Sequence, residues 1–286
     1  MTRRDPTMDR RALFASAAAA TLLAASGVSA AGLPQRGGRL RLALSGAARS
    51  DTWHKGDGLF MQVARQGLVF DTLTEVSADG TLRGELATAW RASPDARHWE
   101  FDLREDVLFH DGQPFSAKDV LASAAGFADG TLRALTPHRL SVTLHAADPC
   151  LPLRFAAPEF YIAPAHAPDS GIGTGLYRVK DFVAGQHLLS ERVAGHYKGD
   201  GVGWFDMVEL SSVPSEPVRA EALGAYMVDA VDVADADLLA GLPDIATLPA
   251  SAQMNTAVSR DLAQPDMVGA ERPLDNLRAA ERWWFV

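Results

Sequence analysis

Cysteine is almost absent from this 286-residue chain. Cys150 stands alone, so no intrachain disulfide can form. Within Asp148-Pro149-Cys150-Leu151-Pro152 it is expected to pack as a small apolar residue rather than act as a nucleophile. Reactive motifs are missing too. The sequence has no G-x-S-x-G elbow and no G-x-x-x-x-G-K-[ST] phosphate loop. The glycines of Gly171-Ile172-Gly173-Thr174-Gly175 give G-x-G-x-G ahead of a strand, which is the wrong spacing and context for a dinucleotide. The eight histidines are scattered, with no i, i+4 pair to put two metal ligands on one helical face. Asp229, Asp232, Asp235 and Asp237 lack the glycine and closing glutamate of a calcium loop, and are expected to form a solvated face. These absences argue against an enzyme, and no cofactor or metal is expected.

Basic runs are lacking beyond the first thirty residues. Four of the 27 basic and two of the 36 acidic residues lie there, which leaves 23 basic against 34 acidic and a formal charge of −11. Nucleic-acid binding needs a basic face, so that class is set aside. A long hydrophobic span is lacking as well. The uncharged run Ala12 to Ala25 is shorter than the roughly 20 residues that cross a bilayer. Flanked by Arg3, Arg4, Arg10 and Arg11, and followed by Val28-Ser29-Ala30, it is expected to be a cleaved export signal over residues 1–30. An N-terminal anchor or buried helix is the alternative, disfavoured by that length. Asp9-Arg10-Arg11-Ala12-Leu13-Phe14 resembles a twin-arginine signal, with Asp9 where Ser or Thr is usual. No cysteine follows the leader, so no lipid anchor is expected there and the reading is a soluble, periplasmic monomer.

What is present is alternation. Arg39 to Leu44, Trp99 to Arg104 and Arg139 to Leu144 alternate polar with apolar residues and predict half-buried strands, with Trp99, Phe101 and Leu103 on one face. Further strands are expected at Leu176 to Val179, Leu188 to Val193 and Met207 to Val213. Helices are expected in Met61 to Leu73, after the N-cap Ser116, over Pro217 to Met227, and from Leu274 to Phe285. His110-Asp111-Gly112-Gln113 reads as a tight turn. No period is evident in 146–170 or 249–273. Strands and helices mixed in this way predict an α/β chain with a mixed sheet.

The order of motifs resembles the bacterial family 5 solute-binding proteins, the peptide- and nickel-binding components of ABC importers. Gly67-Leu68-Val69-Phe70-Asp71-Thr72-Leu73-Thr74 and Glu85-Leu86-Ala87-Thr88-Ala89-Trp90 open the likeness. Its most specific block runs from Ser93-Pro94-Asp95 through Trp99-Glu100-Phe101 to Phe109-His110-Asp111-Gly112-Gln113-Pro114-Phe115-Ser116-Ala117-Lys118-Asp119-Val120. Gly173-Thr174-Gly175-Leu176-Tyr177 resembles the family's G-T-G-P-Y turn, with Leu176 in place of proline. The resemblance implies a type II periplasmic-binding-protein fold, two lobes closing over a ligand, and a membrane permease as partner. It also implies that the second lobe is largely missing. Residues 31–248 would form the first lobe, 249–273 an irregular connection too short for an ordinary domain, and 274–286 a tail returning to the first lobe.

Candidate ligand contacts are Ser45, Trp53, Gly173, Thr174 and Tyr177, from the loop after the first strand and from the glycine turn. Core packing is the competing role for Trp53 and Tyr177. Gly173 and Gly175 are expected to hold backbone conformations that a Cβ disfavours. Two function classes follow: a receptor for peptides or similar small solutes, or a structural remnant with weak affinity. If the twin-arginine route is used, changing Arg10 and Arg11 to Lys leaves the precursor in the cytoplasm. Fractionation and immunoblotting measure this, and normal periplasmic accumulation rules the route out.

Overall fold

A computed structural model describes residues 37–76, 81–199, 202–242, 245–251 and 254–259. The expected export signal and the expected C-terminal helix lie outside these residues.

The first strand, β1 (Arg39–Leu44), is central to a seven-stranded mixed sheet, in the order β12-β13-β11-β1-β10-β9-β8. Here β8 is Tyr177–Val183, β9 His187–Arg192, β10 Met207–Ser212, β11 Ala230–Val233, β12 Ile245–Ser251 and β13 Met254–Ser259. Strand β1 runs parallel to both β10 and β11, whereas the other pairings in the sheet are antiparallel. Two parallel strands cannot be joined by a hairpin. The chain therefore leaves β10 through a helix at Glu216–Gly224 and returns at β11, bridging over β1. That helix buries Ala220 and Leu223 against Ala43, Val231 and Val233. On the opposite face Leu40, Leu42 and Leu44 join Phe60, Met61, Leu68 and Tyr177 in a second core.

A four-stranded antiparallel sheet carries the third core. Its order is β4 (Ala87–Ala92), β5 (His98–Leu103), β7 (Arg139–Leu144) and β6 (Gly130–Thr136). Trp99, Phe101 and Leu103 share the buried face as their alternation predicts, with Leu140, Val142 and Phe155. A short pair, β2 (Thr74–Val76) and β3 (Leu82–Gly84), completes the strands. In chain order the helices are α1 (Leu59–Gln62), α2 (Ala117–Ser123), α3 (Leu151–Arg154) and α4, the crossover helix. The Asp119 carboxylate caps α2, accepting the Ser116 N–H at 2.9 Å and its hydroxyl at 3.0 Å. Its other oxygen accepts Ala165 N–H at 2.9 Å. One residue thus starts the helix and anchors a distant loop.

Several expectations change. Strand β6 pairs with β7 through a turn at Pro137–His138, although Gly130 to Thr136 carries no clean alternation. Residues 249–259 are largely strand, so the irregular connection expected from 249 begins inside β12. Cys150 is exposed, because it stands at the start of α3 with its N–H donating to Asp148 Oδ1 at 2.8 Å. The aspartates around 232 are not one solvated face. Asp232 is 1 % exposed and pairs with the buried Arg219 at 3.3 Å. It lies on a strand flanked on both sides, so its carboxylate needs an internal partner. Asp229 accepts the Arg41 N–H and binds its guanidinium, both at 2.8 Å. Only Asp235 and Asp237 are exposed.

The glycine turn has its predicted importance for a different reason. Its left-handed residue is Gly171 (φ 72°), while Gly173 and Gly175 are absent from the positive-φ set. These two lie against backbone: a Cβ on Gly173 would collide with the Val69 carbonyl, and one on Gly175 with the Leu68 carbonyl. Neither atom can move without shifting the chain. Gly173→Val is expected to cost about 1–3 kcal/mol through overpacking. Thermal denaturation measures it, and an unchanged melting temperature contradicts the close approach.

Candidate functional site

The segment after α1 departs from α-helical geometry. Val63–Val69 forms a π-helix, ending where Phe70 N–H donates to the Arg65 carbonyl at 2.7 Å. Such widened turns are rare and often mark functional sites. The sequence supplies a hydrophobic run interrupted by two consecutive polar residues, Arg65-Gln66. Val63, Ala64, Leu68 and Val69 face the core. Arg65 and Gln66 line a cleft of about 580 Å³.

Four segments form its walls. The loop after β1 contributes His54, Gly56 and Asp57. The α1–π segment contributes Gln62, Arg65 and Gln66. The end of α2 contributes Ala122 and Ser123, and the irregular stretch after α3 supplies Pro158, Glu159, Tyr161, Ala163 and Pro168. Hydrogen bonds set the spacing between the segments. Ser123 Oγ donates to the Ala163 carbonyl at 3.2 Å and accepts the Ala163 N–H at 2.9 Å. Ile162 N–H donates to the Asp71 carbonyl at 2.8 Å, tying the same stretch to the end of the π-helix. Tyr161 Oη donates to the Trp53 carbonyl at 2.8 Å and lies 2.7 Å from His54 Nδ1. His54 Nε2 is 2.7 Å from Asp169 Oδ1. Burial pushes the Tyr161 phenol above its ordinary value, so it stays a neutral donor.

The polar inventory of the cleft is uneven. Gln66 is 4 % exposed, yet its Nε2 has no hydrogen-bond partner. Arg65 donates from Nε to the Met61 carbonyl at 3.2 Å, and its guanidinium carbon lies 6.0 Å from the Tyr161 ring centroid. Among the described residues Arg65 forms no ion pair. Asp57 and Glu159 are exposed acids on the same cleft. The arrangement can hold a small polar molecule by hydrogen bonds and charge.

None of the five sequence-derived contact residues lines this cleft. Ser45 is engaged with Asp232: its Oγ donates at 2.6 Å and its N–H at 2.9 Å. Trp53 is buried, with ring centroids 4.8 Å from Phe182 and 5.8 Å from Phe70. The Gly173 carbonyl accepts His110 N–H at 2.9 Å. Thr174 Oγ1 donates to Asp71 Oδ2 at 3.0 Å in a fully enclosed setting. Tyr177 is wholly buried and donates to the Phe205 carbonyl at 3.0 Å, and burial raises its phenol. Each has a structural partner that satisfies it. Trp53 touches the site indirectly, through the carbonyl that Tyr161 uses. Arg65, Gln66, Tyr161 and Ser123, which line the cleft, were not among the sequence-derived candidates. The one available signal was the polar pair inside the apolar run.

Residues 81–258 match the profile of bacterial extracellular solute-binding proteins, family 5 Middle. The chain belongs to this family. The nickel-binding periplasmic protein of Escherichia coli (strain K12) is 28 % identical over 232 residues, 71 % of this chain and 42 % of that protein. A probable D,D-dipeptide-binding periplasmic protein of the same organism is 25 % identical over 203 residues, 60 % of this chain and 39 % of that protein. Among solved structures, AgaA of A. tumefaciens R10 in complex with agropinic acid superposes with a TM-score of 0.67 at 24 % identity, covering 74 % of this chain and 48 % of that one. DppA of Helicobacter pylori in complex with the peptide STSA gives 0.64 at 20 % identity, covering 75 % and 51 %. The fold is therefore that of the type II periplasmic binding proteins. The family 5 chain spans less than half the length of these two curated relatives.

The packing of Trp53 generates a prediction. Trp53→Ala is expected to cost about 3–5 kcal/mol of stability, as for other buried aromatics. Solute affinity of the folded fraction should be little changed. Lost affinity at an unchanged melting temperature would return Trp53 to the ligand.

Proposed function

We propose that the cleft around Arg65 and Gln66 receives a peptide or similar small solute. In this reading the protein is exported to the periplasm and passes its cargo to the permease of an ABC importer. The observation that carries it is a cleft of about 580 Å³ lined by polar side chains of Arg65, Gln66, Tyr161 and Ser123. Cleft volumes of this order suit small-molecule ligands. The relatives support the same reading, since their names describe binding proteins of nickel and of D,D-dipeptides.

A second reading, weak or absent binding, is favoured by the share of the relatives that this chain spans, 42 % for the nickel-binding protein. A solute in a cleft open to solvent stays partly in water, where water competes for every hydrogen bond. Titration calorimetry of the full chain with a mixed free-acid tripeptide library separates the two. Saturable binding supports the receptor. The weak reading expects a Kd of about 100 μM or higher, about −5.5 kcal/mol or less favourable. A nanomolar ligand excludes that second reading.

A further inference from the structure

We infer that the glycine turn is held by a two-histidine latch that mild acid opens. His110 and His196 grip consecutive carbonyls of the turn as neutral rings, and a proton taken up by either ring loosens the grip. The inference concerns the fold beside the cleft and does not depend on what the cleft binds.

The two rings come from different segments, the turn after Phe109 and the loop after β9, and make the same pair of contacts. His110 Nε2 lies 2.8 Å from the Gly175 carbonyl oxygen, and its Nδ1 lies 3.3 Å from the Gly173 nitrogen. His196 Nε2 lies 2.8 Å from the Thr174 carbonyl oxygen, and its Nδ1 lies 3.2 Å from the Lys198 nitrogen. A carbonyl only accepts and a backbone N–H only donates. Both rings therefore carry their proton on Nε2 and a lone pair on Nδ1. Protonation puts a second N–H on Nδ1, aimed at a backbone N–H. The Nε2 bonds survive it, but each Nδ1 contact turns from a hydrogen bond into a clash of donors. With both rings charged, the turn is also flanked by two like charges.

The surrounding charges divide. Asp71, at the end of the π-helix, favours a charged His110, while His196 and Arg178 on β8 oppose it. Asp71 already accepts Thr174 Oγ1 at 3.0 Å and Tyr197 Oη at 2.7 Å. In the turn of His110 itself, Asp111 pairs with His166 at 2.7 Å. Beside His196, Lys198 is engaged with Glu75 and Glu85 at 3.0 and 3.2 Å, and Arg104 lies 4.9 Å from the Tyr197 ring centroid. Burial is the largest influence on His110 and holds it below its ordinary value. The unfolded chain thus takes up this proton at a higher pH than the folded one. Stability falls as pH drops below about 6.5, and goes on falling until the folded ring is itself protonated. Local opening of the turn relieves the same penalty with less structure lost. Because Gly175 N–H donates to the Val69 carbonyl at 2.9 Å, opening also loosens the end of the π-helix beside the cleft.

Hydrogen-exchange mass spectrometry of the full chain tests the latch at about pH 7.5 and about pH 5, either side of the histidine range, after correction for the intrinsic pH dependence of exchange. Protection across 171–177 and 196–199 should fall at least about tenfold at the lower pH, while β10 stays protected. In the double variant His110→Gln with His196→Gln the fall should shrink below about twofold, since a glutamine amide donates to a carbonyl without titrating. Unchanged protection in acid overturns the latch. An equal loss in β10 assigns the effect to global acid unfolding and overturns it as well. So does a loss that persists undiminished in the double variant. Should that variant fail to fold, nitrogen NMR of the unaltered protein decides. Both rings should be Nε2–H tautomers when neutral and should titrate over the range in which the turn loses protection. A neutral ring protonated on Nδ1, or titration outside that range, overturns the assignment.

Discussion

Val69 presents its carbonyl to the N–H of Gly175 at 2.9 Å, and Gly173 and Gly175 approach this backbone too closely for a side chain. Much of the described structure depends on this contact. It locks the glycine turn to the end of the π-helix, next to the segment that builds the cleft. His110 completes the lock from the turn that follows Phe109. Its Nε2 donates to the Gly175 carbonyl at 2.8 Å, while its Nδ1 accepts the Gly173 N–H at 3.3 Å. That pairing requires a neutral imidazole, and burial accordingly holds His110 below its ordinary value.

Beneath the turn, polar groups are buried in matched sets. Asp71 accepts from Thr174 and from Tyr197 Oη, the latter at 2.7 Å. Glu85 accepts the Thr72 N–H and hydroxyl, both at 2.8 Å, and Lys198 bridges Glu75 and Glu85 at 3.0 and 3.2 Å. Removing one member of such a set leaves an uncompensated charge, so these residues specify where the 71–85 hairpin region and the 196–198 loop must meet. Asp232, Arg219 and Ser45 do the same at the sheet beside β1. The Arg65–Gln66 pair is the contrast. Arg65 donates to the Met61 carbonyl, whereas the Gln66 Nε2 has no partner.

Much of the fold was legible because it is written in local periodicity. Trp99, Phe101 and Leu103 alternate, and burial follows their alternation. Ser116 and Asp119 are spaced for a cap, and a cap forms. The family motifs likewise predicted the type II binding-protein architecture. Strands β6, β12 and β13 were not legible, since their residues become strand through pairing with β7 and β11 rather than through a pattern of their own. Asp232 was misread for a related reason: a run of acids looks solvated until a neighbouring strand closes over one of them.

By itself, the sequence determined the strand alternation and the capped helix, because each rests on neighbours a few residues apart, and its ordered motifs gave the family. Only the tertiary structure decided which polar residues are satisfied. Ser45, Thr174 and Tyr177 find partners 187, 103 and 28 residues away, and so support the fold. Gln66, on the wall of the cleft, finds none for its enclosed Nε2. Whether a hydrogen-bonding group supports the fold or awaits a ligand depends on what lies across from it in space, and distance along the chain does not carry that information.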